Sequence, residues 1–238
     1  MKKIIFAVIG LLISASSFAQ TDISGTVTDN LGDPITGANI LIVGSTSGTT
    51  SDFDGNFYST VQIGEQLWMA ENLKVTHYND GSEIPYPSNE DFGSYDEGQY
   101  GVYDNDPANA DIYGNLYNWA VVNDDRGVCP EGWHVPSDAE YTILTDYLGG
   151  ESVAGGKMKE AGLDHWNSPN EGATNESGFT GLPAGYRTSS GGNYLSMGIV
   201  GSFWSSSEGS SNYWAWPRFL DDSSSSLYRY GYEKRLGC

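Results

Sequence analysis

The clearest periodicity in the chain lies between residues 129 and 150, CPEGWHVPSDAEYTILTDYLGG. Tyr141, Leu144, Tyr147 and Leu148 recur at the three- and four-residue spacing that lines one face of a helix. Ser137 stands three residues before Glu140, the spacing of a capping box, in which hydroxyl and carboxylate each satisfy a free amide of the first turn. Pro136 blocks extension of the helix backwards. Gly149 and Gly150 follow where a left-handed C-cap is wanted. With Trp133 and Val135 as apolar anchors ahead of it, this segment is expected to be the main buried helix of the larger domain.

The flanking patterns are shorter. ISGTVTD alternates Ile23, Gly25 and Val27 with polar neighbours, as a half-buried strand does, and Asn30 to Pro34 is a turn cluster. ITGANILIVGST predicts a second strand, and SDFDGNFYS a tight Asp-Gly turn running into a third. VQIGEQLWMAENL predicts a hairpin with Ile63, Leu67 and Trp68 buried. Residues 77–103, rich in Asn, Asp, Gly, Ser and Pro, predict a long surface loop. A short helix is expected over residues 113–122, with Tyr113, Leu116, Tyr117 and Ala120 on one side. SVAGGKMKEAG predicts a second short helix, weakened by its glycines. From Trp166 onward short aromatic strands alternate with Gly/Ser turns: Phe179 with Leu182, Tyr186 with Arg187, Phe203 with Trp204, then residues 213–219 and 227–232. The serine run 223–226 is expected at a hairpin tip.

Composition narrows the class. The 238 residues suffice for one sizeable domain and a small one. With 31 glycines, 16 tyrosines and 7 tryptophans the chain points to a loop-rich fold of short strands rather than a helical bundle. Met1 to Gln20 has the basic start, apolar stretch and small-residue cleavage site (Ser17-Phe18-Ala19) of a secretory signal peptide. No cysteine follows that site, so bacterial lipid attachment is not expected, and Gln20 becomes the new N-terminus. The formal charge of −20 becomes −22 once Lys2 and Lys3 are removed. Such a chain repels nucleic acid and anionic headgroups and suits an extracellular setting. Cys129 and Cys238 leave two possibilities: one disulfide closing a loop of about 110 residues, worth about 4–5 kcal/mol, or two free thiols.

CPEGWHVPSDAEYTILTDYLGG, WMAENLK at 68–74, YGNLYNW at 113–119 and GFTGLPAGYR at 178–187 together resemble the Fibrobacter succinogenes major paralogous domain, over residues 61–236. The resemblance implies an α+β, C-type-lectin-like fold: two helices, short antiparallel strands and long loops. The formylglycine-generating enzymes show a similar helix start, but the paired C-terminal cysteines of that oxidase chemistry are not matched. GTVTDNLGDPITGANILIVGSTSGTTSDFDGNF resembles the carboxypeptidase-regulatory-like β-sandwich at about half its length. The expected organisation is therefore a signal peptide (1–20), a partial sandwich segment (21–60) and the major domain (61–238). Relatives continue into a final strand where this chain reads YEKRLGC, so the closing strand is expected to be missing or shortened to Cys238. The family's matching cysteine lies within that strand, which favours free thiols or a strained pair.

Candidate chemistry is sparse. His77, His134 and His165 lack metal-site spacing, no GxSxG occurs, and the segment WSSS at 204–207, which resembles the family's Trp-Ser-Ser, is expected as a core strand. Asp104, Asp106, Asn109 and Asp111 form an oxygen-rich stretch that is a calcium candidate, though it lacks the EF-hand glycine and glutamate. Glu208, Asp221 and Asp222 are further candidates by analogy with lectin-like loops. Tyr213, Trp214, Trp216, Arg218, Tyr228 and Tyr230, with Arg229 and Tyr232, crowd twenty residues; alternation along strands sends half inward and half outward. An outward aromatic face stacks on sugar rings or anchors a protein. The expected function is a secreted or cell-surface, non-catalytic binding or adhesion module for polysaccharide or protein, without nucleic acid or a membrane span. A structural or truncated paralogue is the second reading, and a metal-assisted hydrolase the third.

Overall fold

A computed structural model of the chain describes residues 47–87 and 95–238, with Thr28, Leu31, Ile40, Leu41 and Phe92. The chain divides into two compact units, Met1–Pro34 and Ile35–Cys238. Of the first, only Thr28 and Leu31 are described, both exposed. The signal-peptide reading and most of the two early strand readings lie outside the described residues.

The second unit is a mixed assembly of helices and antiparallel strands, the α+β class expected from the sequence. Its first sheet runs in the order β1 (Ile40–Leu41), β2 (Ser47–Ser51), β3 (Phe57–Ile63), β4 (Gln66–Met69). The Asp-Gly turn forms between β2 and β3 as predicted. The Asp52 carboxylate accepts the Asn56 amide at 3.0 Å and the Tyr58 hydroxyl at 2.5 Å, and the Tyr58 oxygen accepts the Lys74 amide at 3.0 Å. Strand β3 continues unbroken through Thr60 and Val61, where the sequence motifs divide the chain. In β4, Trp68 is buried but Leu67 is 44% exposed. The two cannot both be core, because neighbouring strand residues face opposite ways.

Between this sheet and the helices, β5 (Tyr100–Gly101) pairs with β6 (Leu116–Tyr117), and α1 (Pro107–Tyr113) lies between them in sequence. The helix expected over 113–122 is therefore replaced. Tyr113 ends α1, Gly114 turns at φ 73°, and only α2 (Trp119–Val122) is helical, capped by Asn118. Tertiary bonds decide this: Asn115 donates to the Lys74 carbonyl at 3.0 Å, and Asn118 donates to that of Glu97 at 2.8 Å.

Helix α3 (Asp138–Tyr147) has the predicted capping box, with Glu140 N to Ser137 Oγ at 3.2 Å and Ser137 N to Glu140 Oε2 at 2.7 Å. Gly149 and Gly150 turn at φ 105° and 97°, open to glycine without steric cost. Tyr141, Leu144 and Leu148 are buried, but Tyr147 is 66% exposed. Tyr147 falls at the edge of the stripe and lies over Gly64, where a Cβ would sit 3.0 Å from its ring. Trp133 and Val135 are half-buried.

Helix α4 (Glu151–Met158) crosses β12 (Ser224–Arg229) at backbone range. A Cβ on Gly155 would meet the Ser226 carbonyl oxygen at 2.2 Å, and one on Gly156 the Gly172 oxygen at 2.4 Å. The serine run is accordingly strand rather than hairpin tip beyond Ser223: its small side chains sit where the helix comes closest. Just past α4, Lys159 is fully buried, and its ammonium donates to the carbonyls of Glu171, Asp221 and Ser224 at 3.0, 2.8 and 2.9 Å. Three donors meet three acceptors, as burial of an ammonium requires.

The remaining strands are β7 (Tyr186–Arg187) with β8 (Tyr194–Leu195), the sheet β12-β11-β9 with β9 at Val200–Phe203 and β11 at Arg218–Asp221, and β10 (Trp214–Ala215) with β13 (Tyr232–Glu233). Phe179 with Leu182 forms no strand, although Phe179 joins the largest core cluster beside Trp68, Tyr141, Leu144 and Met158. Of the segment 204–207 expected as a core strand, Trp204 and Ser205 are buried just past the end of β9, but Ser206 is exposed and none of the four lies in a strand.

The chain end is held by backbone pairing. Gly237 exchanges two 2.9 Å bonds with Arg187, and Cys238 exchanges bonds of 2.7 and 3.0 Å with Tyr117. Both cysteines are free. Cys129 packs beside Val75 and Tyr117, while Cys238 packs among Trp119, Trp204 and Leu236. Burial pushes both thiols up to about 12, which leaves them unreactive near neutrality.

Two outcomes follow. Gly155→Ala should destabilise the protein by about 1–3 kcal/mol in urea unfolding, although helix propensity alone favours alanine by about 1 kcal/mol. Thiol titration of the denatured, non-reduced protein should find both cysteines reactive; finding neither in a monomer would mean that they pair.

Candidate ligand-binding surface

The aromatic residues singled out in the sequence come from β10 to β13, and the strands distribute them over separate environments. In β11 and β12, Phe219 stands opposite Tyr228 and Arg218 opposite Arg229. Alternation therefore sends the two arginines to one face and the two rings to the other.

On the arginine face the centre is Asp138, the first residue of α3. Arg218 approaches its carboxylate at 2.8 Å, and Arg229 grips it with two hydrogen bonds of 2.7 and 2.9 Å. Arg218 is only 2% exposed and also lies over the Tyr141 ring, so it cannot share the exposed face predicted for it. Arg229 covers Trp216 at 3.9 Å, which leaves that indole half-buried. Burial alone would raise the Asp138 carboxyl, but hydrogen bonds and ion pairs with Arg229 and Arg218 outweigh it and hold the group below its ordinary range.

On the opposite face Tyr228 and Tyr230 stack at 5.6 Å, and Phe219 meets Tyr230 and Tyr232 at 6.3 and 5.8 Å. These rings, with Tyr186 and Leu236, wall a hollow of about 400 Å³. Tyr230 is 54% and Tyr232 39% exposed. At a neighbouring strand pair, Trp214 is 46% and Tyr213 60% exposed, with Tyr95 edge-on to Tyr213 at 5.2 Å. Four of the six candidates thus keep ring surface toward solvent in two groups, around Tyr228 with Tyr230 and around Tyr213 with Trp214. Phe219, Tyr186 and Tyr95 were not legible as members. Phe219 ends the aromatic segment 213–219 and Tyr186 belongs to a short predicted strand, but which rings share a face is set by the β11–β12 pairing and by tertiary packing.

The calcium candidates are largely occupied with backbone. Asp106 caps α1 by accepting the Ala108 amide at 3.0 Å, and Asn109 donates to the Tyr103 carbonyl at 3.0 Å. Asp104 sits in a tight turn at φ 54°, and Asp111 is exposed. Glu208 pairs with Lys234 at 2.6 Å, and Asp221 accepts from the Ser223 amide. Among the described residues no three His, Cys, Asp or Glu side chains converge as metal ligands. Each histidine faces one carboxylate: His77 with Asp54, His134 with Glu140, His165 with Glu160, at 2.7 to 2.9 Å.

Fold and surface define an α+β domain that displays aromatic side chains from short antiparallel strands. The chain belongs to the Fibrobacter succinogenes major domain family, which residues 61–236 match. Residues 22–79 match the carboxypeptidase regulatory-like domain, so the two matches overlap along the end of β3 and all of β4. The TonB-dependent receptor SusC of Bacteroides thetaiotaomicron is 38% identical over 65 residues, 27% of this chain and 6% of the receptor. The chain thus spans a small fraction of that relative. No solved structure matches the chain. Among the described residues no helix is long and apolar enough to cross a membrane.

The Asp138 junction gives a pH-dependent outcome. Its folded pKa is lowered, so its stabilisation is present above the ordinary carboxylate value of about 3.9 and is lost as pH falls through the folded value. Asp138→Asn should cost about 3 kcal/mol at neutral pH by leaving Arg218 buried without its anion. Thermal unfolding followed into acid should show the gap to the parent protein closing below that range.

Proposed function

We propose that this chain is an exported, non-catalytic binding module that takes a polysaccharide on the aromatic surface around Tyr213, Trp214, Tyr228 and Tyr230. The observation that carries this is the Tyr228–Tyr230 stack beside an open hollow, with Tyr230 54% exposed. Apolar rings left facing water are costly unless they meet a partner, and flat rings suit the apolar faces of sugars. Family membership supports a surface-associated setting, as does the similarity to a segment of a TonB-dependent receptor. The acidic charge of −20 argues against anionic partners. A C-type-lectin-like relation belongs to the same proposal: its support is the sequence resemblance and the mixture of helices with short strands.

Arg218 and Trp216 have supporting parts in this reading. They set the back of the sheet through Asp138 and Arg229, while the rings on the other face meet the ligand. Pull-down on insoluble polysaccharides tests it. Binding should weaken about tenfold in Trp214→Ala and in Tyr230→Ala, a loss of about 1.4 kcal/mol, with thermal stability unchanged. Equal binding by both variants removes this surface from the function. An absence of binding to any polysaccharide tried, alongside intact folding, would favour the purely structural role.

A further inference from the structure

A second hollow lies between β4, Phe203 at the end of β9 and the turn 132–136 that leads into α3. It encloses about 440 Å³, within the range of about 300–1,000 Å³ typical of binding pockets. Trp68, Met69, Trp133, Val135, Phe179 and Phe203 supply its apolar walls. Several of its polar groups are engaged within the protein, while Gln66 Oε1 and Trp68 Nε1 are buried without a hydrogen-bond partner. The Gln66 amide donates to the Glu140 carbonyl, the Asn72 amide to that of Tyr113, and Glu71 accepts the Ser59 amide. Glu140 is taken up by Ser137 and His134. An apolar side chain matches the walls of such a space, and two unpartnered atoms are few for the many hydroxyls of a sugar.

The apolar surface does not stop at the mouth. Leu67 lines the hollow yet is 44% exposed. Tyr147 rests on Gly64 of the β3–β4 turn and is 66% exposed, and Ile143, one helical turn earlier on α3, is 56% exposed. An occupant confined to the hollow leaves these three side chains in water; one that extends past it covers them. Charge sets the rest of its character. Glu65 and Glu131 are exposed next to residues of the rim, and Glu71 and Glu140 lie on it. The basic groups there are His134, which faces Glu140 at 2.8 Å, and Lys74, next to Leu73 of the lining, so four carboxylates outnumber two bases.

We propose that this cleft binds a polypeptide segment of a partner protein, seating one large apolar side chain between Trp68 and Trp133 and flanked by lysine or arginine. The apolar anchor supplies the affinity and the acidic rim selects the flanks and speeds encounter. The two hollows share no lining residue, so they can be tested independently.

Three synthetic peptides serve as probes, read by fluorescence anisotropy on the full mature protein. One has a Trp-Leu centre between lysines, the second replaces the lysines by glutamates, and the third replaces the centre by serines. The first should bind, and the others should bind at least about tenfold more weakly. Leu67→Ser and Tyr147→Ala alter exposed residues and should preserve the melting temperature, yet each should weaken the first peptide several-fold. Trp214→Ala should leave peptide binding unchanged. The proposal is overturned if the lysine peptide does not bind, if the glutamate peptide binds as well, or if both cleft variants bind like the parent.

Discussion

Helix α4 lies on strand β12 with almost nothing between the two backbones, and the larger core is arranged around that contact. Gly155 and Gly156 admit the Ser226 and Gly172 carbonyls where any β-carbon would collide. Each glycine costs the helix about 1 kcal/mol relative to alanine, which the dense contact must offset through dispersion and the burial of Ala154 and Met158. Lys159 then locks the end of the seam by donating to the Asp221 and Ser224 carbonyls on either side of the β11–β12 turn and to that of Glu171. Two oddities of composition, a Gly-Gly pair in a helix and a run of serines, are thus the two halves of one interface.

The few basic residues of this acidic chain are used in a consistent way. Lys159, Arg187, Arg218 and Lys234 are all buried. Lys159 meets carbonyls, Arg218 meets Asp138 and Tyr141, Lys234 meets Glu208 and Trp119, and Arg187 donates to the Pro87 carbonyl while lying over Phe92. Cations placed inside as fasteners leave a surface more acidic than the composition suggests. That surface is the electrostatic context for both the aromatic face and the rim of the apolar cleft.

Asp138 links these features. It opens α3, whose N-terminal dipole favours an anion there, and it anchors both arginines of the β11–β12 pair. The aromatic face therefore stands on a strand pair whose back is tied to the best-specified helix in the chain. Elsewhere, Gly237 pairs with Arg187 and Cys238 with Tyr117 through their backbones. No disulfide is needed there, and the two cysteines lie in different apolar clusters.

What the sequence determined alone is local. The α3 cap, its glycine stop and the Asp-Gly turn into β3 follow from residues a few positions apart, whose hydrogen bonds and steric limits act without the rest of the fold, while the family and its α+β class follow from a resemblance of motifs spread over residues 61–236. Trp68, Tyr141 and Leu144 were legible as core for the same reason. Tertiary structure decided the rest. Leu67 and Tyr147 carry apolar side chains but face outward, because β4 and α3 each bury only one side. Residues 113–122 break into helix, strand and helix because Asn115 and Asn118 bond to distant backbone. Arg218 left the expected surface because Asp138, eighty residues earlier, lies within reach of its guanidinium. Phe219 reached the hollow through its pairing with Tyr228 and Tyr186 through tertiary packing of β7, which no local pattern encodes.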